Sequence, residues 1–138
     1  MKTAALVSVL FAATAPAQHW SLHHHGHSCG AAVSAQLVQH AHQVSVQFNL
    51  HTTPNSLAVL AIGHAAPAPI PLPGGSCHFG VSPAGTMLGI TDSHGNIHFG
   101  FHAPHVAPVS VLFQGGVVRL GPHGLTAGSS NVIELVGT

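Results

Sequence analysis

Fixed charge is the scarcest commodity of this sequence: its 138 residues hold two Lys/Arg and two Asp/Glu. No cluster of bases stays charged at neutral pH, so the electrostatic footprint of a nucleic-acid binder is missing. Past the first residues the carboxylates are Asp92 and Glu134 alone, a poor supply for a hydrolase that works with paired acids. Tyrosine is absent, and with so little charge there is little to hold neighbouring molecules apart. Self-association is the expectation. After the N-terminus no apolar run reaches the roughly 20 residues that a transmembrane helix takes, so no transmembrane anchor is expected. Nor does any stretch of a dozen residues free of Gly and Pro show a 3.6 period there, which argues against helices.

What stands at the N-terminus is "MKTAALVSVLFAATAPA": one cation at Lys2, an apolar run from Ala4 to Ala13, and small residues at Ala15-Pro16-Ala17. That order predicts a secretory signal peptide over residues 1–17 and a secreted or cell-surface product. The remainder suits one domain. Its two cysteines, Cys29 and Cys77, fit an exported domain with one disulfide. A thiolate metal site and two free thiols are the alternatives.

Period two dominates from residue 33 onward. In "QVSVQFNL" Val44, Val46, Phe48 and Leu50 alternate with Ser45, Gln47 and Asn49, one face buried and one wet. "AVSAQL" alternates likewise, and "SLAVLAIG" is apolar on both faces, as a central strand would be. The Pro-rich "APAPIPLPGG" cannot be helical and reads as an edge or a connection. "CHFGV", "TMLGI", "IHFGF", "VSVLF", "VVRL" and "VIELV" follow as short strands, with "TDSHGN" supplying a tight turn. The pattern predicts an all-β fold, a single immunoglobulin-like β-sandwich of about eight or nine short strands over residues 29–138. A closed barrel is the alternative. Residues 18–28 read as a His-rich tail ahead of it.

The ordered phrases "SCG", "PNSLAVLAIG", "PLPGGSCHFGVSPAG", "TDSHGNIHFGF", "SVLFQGGVV" and "SNVIEL" cover nearly all of Cys29 to Val136. In order and spacing they resemble a small secreted β-sandwich module of planctomycete-type exported proteins, where it often forms the C-terminus of a longer chain. The resemblance implies a sandwich with Cys29 paired to Cys77, and it brings no catalytic residues. This copy departs from the pattern by standing behind a signal peptide and by carrying His where small polar residues are usual.

Histidine is the abundant polar residue, fifteen in all and five of them between His19 and Gly30. It is the one side chain here that can change the charge substantially between pH 5 and 8. "HHHGH" holds His23, His24, His25 and His27, and a flexible tract of that kind can wrap around Cu, Zn or Ni, which imidazole suits. His94, His98, His102 and His105 form a second group. On a strand, residues four apart lie about 13 Å apart, too far for His98 and His102 to chelate one ion unaided. They read as the solvent-facing side of a sheet. "GHSCG" around Ser28 matches a hydrolase nucleophile pattern, but that motif needs a strand-to-helix turn and none is expected here. A blue-copper site from Cys77, His78 and Met87 fails because neighbours on a strand point to opposite faces.

The sequence thus predicts a secreted, non-catalytic β-sandwich with a structural or interaction role at the cell surface or in an extracellular assembly. It requires no cofactor, and its partners are copies of itself or other extracellular proteins. Transition-metal binding and pH-gated self-association, both through His, are the alternatives.

Overall fold

The computed structural model describes residues 19–74, 76–104 and 109–138; the predicted signal segment, Gln18 and His105 lie outside the described residues. Among the described residues there are eight strands and no helix. They are β1 (Trp20–His25), β2 (Ala32–Gln39), β3 (Gln43–His51), β4 (Leu57–Pro71), β5 (His78–Ile90), β6 (Asn96–Pro104), β7 (Val109–Gly121) and β8 (Gly124–Gly137). A five-stranded sheet runs β1-β8-β7-β4-β5 and a three-stranded sheet runs β2-β3-β6. All these pairings are antiparallel. The all-β sandwich read from the sequence is therefore present, split five and three; a constant-type immunoglobulin domain splits four and three.

Period two builds the core. Val44, Val46, Phe48 and Leu50 of β3 are buried, as are Leu60, Phe113, Val117, Ile133 and Leu135 from the opposite sheet. Fully burying one such side chain contributes about 1.5–3 kcal/mol. The ring of Phe113 lies 4.6 Å from that of Phe48 and 5.1 Å from that of Phe101, joining the two layers. Asn131 makes a second joint: its side-chain oxygen accepts from the Val33 amide and its nitrogen donates to the Val33 carbonyl, both at 3.0 Å.

The turn expected at "TDSHGN" is formed. Asp92 Oδ1 accepts the amides of His94 at 2.8 Å and Asn96 at 2.9 Å. Gly95 has φ +84°, and a Cβ there would run into the Thr52 carbonyl.

Three boundaries differ from the sequence reading. Residues 20–25 are not a tail ahead of the sandwich; they are β1, paired with β8 from Trp20↔Gly137 to His25↔Val132. Trp20 is buried in the core, and that burial holds the strand in place. Of the two readings of the Pro-rich stretch, the edge is the one formed: through Pro71 it is the far half of β4. Only β5 pairs with it there, since β7 pairs with β4 over Leu57–Gly63 and no further, so Pro67, Pro69 and Pro71 leave no ladder bond unmade on that side. "CHFGV" and "TMLGI" fuse into β5, as "VSVLF" and "VVRL" fuse into β7.

The long β4–β5 hairpin then folds back on its own sheet. Phe113 points into the core, so Gln114 must point to the outer face. Yet Gln114 is buried, and its amide oxygen accepts from Gly80 N at 2.8 Å on the hairpin. The hairpin tip also bonds to β8, Ala127 N donating to the Pro73 carbonyl at 3.0 Å.

Candidate functional site

The hairpin tip is fastened by the Cys29–Cys77 disulfide, whose Cα atoms are 5.8 Å apart. Cys29 is itself bonded to β8 by a reciprocal backbone pair with Ser129, at 2.7 and 2.8 Å. The bridge read from the sequence is thus formed, and Cys77 is not available as a thiolate for a metal. Met87 packs against the core opposite Leu60. Ser28 is exposed and precedes an isolated bridge, with no helix after it among the described residues.

The strand geometry of β1 separates the histidines that the sequence reading grouped. Trp20 and Leu22 face inward, so Ser21, His23 and His25 share the outer face while His24 lies on the other side. His27 sits beyond the strand. Wrapping of all four rings around one ion, expected for a flexible tail, does not fit a strand held by six residue pairs. Among the described residues no three His, Cys, Asp or Glu come together as a metal site.

What β1 does bring together lies 109 residues apart in sequence. His25 Nε2 is 2.8 Å from Glu134 Oε1, and Ser110 donates its hydroxyl to Glu134 Oε2 at 2.8 Å. The Ser110 hydrogen bond, then the His25 one, hold the Glu134 carboxyl below its ordinary range. His23 is directly across from Glu134 in the ladder, with its Nε2 3.0 Å from Ser21 Oγ.

The second group is spread along the outer face of the small sheet. His98 pairs with Asn49 and His102 with Ser45, while His94 is in the turn before β6. The Nδ1 of His102 is 2.8 Å from Ser45 Oγ, and His51 Nδ1 is 3.0 Å from Asn96 Oδ1. With Ser34, Gln36 and Gln47 this face is a wet, charge-free surface, as expected for His98 and His102. His105 lies outside the described residues.

A feature that sequence reasoning missed is where charge is absent. The sheet edges are β1, β5, β2 and β6, and none of these four strands contains a Lys, Arg, Asp or Glu. Asp92 is occupied in its turn, where the Asn96 and then the His94 amide lower its pKa. Arg119 donates to Thr53 Oγ1 at 2.9 Å, and Glu134 is engaged by Ser110 and His25. Edges in most proteins are guarded by charge, Pro or bulges. Here β2, "AVSAQLVQ", is an eight-residue strand in unbroken register with none of these. Asn131 covers the outward backbone of Val33, and by alternation Ala35 and Leu37 are next in that row. The sequence holds the signal in its charge count, but not which strands would be edges.

Comparison with protein-family models, curated proteins and solved structures finds no match.

Proposed function

We propose that the protein is a non-catalytic β-sandwich that works by self-association through its sheet edges, within an extracellular or cell-surface assembly. One observation carries this reading: four edge strands without a single fixed charge. An exposed strand edge is a template for another strand, whose backbone supplies the affinity. The predicted signal peptide, the disulfide and the resemblance to an exported module all accord with an extracellular setting. Metal capture is the weaker reading, because β1 sets His24 on the opposite face from His23 and His25.

Sedimentation velocity near neutral pH tests the proposal. The protein should form dimers or larger species whose share rises with concentration. Ser34→Lys with Gln36→Lys places two exposed charges along β2 and should weaken association about tenfold or more without loss of folding. A strictly monomeric profile at high concentration overturns the reading.

A further inference from the structure

Beneath the folded-back hairpin lies an apolar cavity of about 220 Å³, partly open to solvent. Its walls include Val59, Ala61, Leu72, Phe79, Val118 and Ala127. Thr86 is the one residue with a polar side chain among those that line it. In a chain with fifteen histidines, not one lines this space. Ala61 and Phe79 are buried although both lie on the outer side of the large sheet, which shows how closely the hairpin roofs it.

A dry cavity of about 150 Å³ with aliphatic and aromatic walls already takes up benzene or xenon. This one is larger, and it is not closed. Leu57 pairs with Ile90 and Val118, and Val59 pairs with Leu88, so the wall strands carry the apolar surface outward. There Leu57, Leu88 and Ile90 are exposed, Leu88 by 68% and Ile90 by 63%. A pocket that ends in a greasy strip and offers no charge suits an elongated apolar group whose polar end stays in water.

We propose that this pocket binds the alkyl chain of a lipid-like molecule, its end under the hairpin and its remainder along Leu57, Leu88 and Ile90. Leu88 and Ile90 belong to the edge strand β5, but the site uses the outward face of the sheet and not that strand's unpaired backbone, so it does not depend on assembly through the edges. Small aromatic molecules would meet the inner cavity but leave the strip unused, which is why the chain is the better occupant.

Photolabelling with an uncharged octanol bearing a diazirine near its alkyl end tests this on the purified protein, with attachment sites mapped by mass spectrometry. Label should be saturable, competed by plain octanol, and concentrated on 72–79 and 117–127. Ala61→Leu fills the wall and should lower labelling about tenfold; Ala127→Leu should do the same from the other side. Thermal unfolding monitors each variant, and where one fails to fold the other decides. If neither folds, the map on the unaltered protein decides. Label that does not saturate, that spreads over exposed leucines alone, or that persists in a folded filled variant overturns the proposal.

Discussion

Glu134 shows how one residue can carry information that its sequence position hides. It is flanked by apolar strand residues, and its partners His25 and Ser110 come from two different strands. Because the carboxyl is held below its ordinary range in the fold, its contribution is present above the unfolded value and is lost as pH falls through the folded one. The side chain is 27% exposed, so solvent screens the pair and the effect is modest. Glu134→Gln should therefore cost about 0.5–1 kcal/mol at around pH 6 and little at around pH 2. Urea unfolding at both values checks it. An equal loss at both would mean that shape, not charge, is what Gln fails to supply.

At the scale of elements, the strands with clean alternation were legible: Val44 to Leu50 and Ile97 to Phe101 lie where period two put them. The first strand was not, because Trp20 and Leu22 are its only apolar residues and three histidines carry no alternation. Its position follows from pairing with β8 at the far end of the chain, which no local pattern encodes. For the same reason His23 to His27 could be read as one cluster before the strand set His24 apart from its neighbours. Proline was legible as the mark of an edge, since Pro67 to Pro71 sit in a strand segment that lacks a partner on one side. The hairpin tip depends on its fastening as much as on its pairing. The disulfide closes a loop with a sequence separation of 48. Replacing both cysteines by Ser should lower stability by about 3–4 kcal/mol on the chain-entropy account. It should also free the tip, so that limited proteolysis cuts first within 66–76. Thermal unfolding and a digest of the double variant measure both, and unchanged resistance would show that the contacts at Gln114 and Pro73 hold the tip without the bridge.

For the whole molecule the balance of charge is set by histidine, and the edges are where that matters. With Asp92, Arg119 and Glu134 each engaged locally, the titratable groups on the edge strands are His23, His24 and His25 on β1, His78 on β5, and His98 and His102 on β6. The edge strand β2 has none of its own, but His40 and His42 stand in the turn that follows it and His51 on the neighbouring β3. All of these histidines are exposed. Histidine as a residue type gains its charge as pH falls from 8 to 5. Charge gained by that residue type would fall on every edge or its neighbourhood, and like charges facing one another across a strand pair are destabilising. Without that charge nothing electrostatic opposes pairing at the edges. Association should accordingly be strong near pH 7.5 and weaken about tenfold or more near pH 5.5. Added salt should restore part of it at the lower pH, because screening shortens the reach of surface charge to about 3 Å at 1 M. Sedimentation velocity at the two pH values, each with and without salt, reads all four states. Association that strengthens in acid would remove histidine repulsion as the gate, and association indifferent to pH would leave the edges as the contact while assigning the histidines to the wet surface alone.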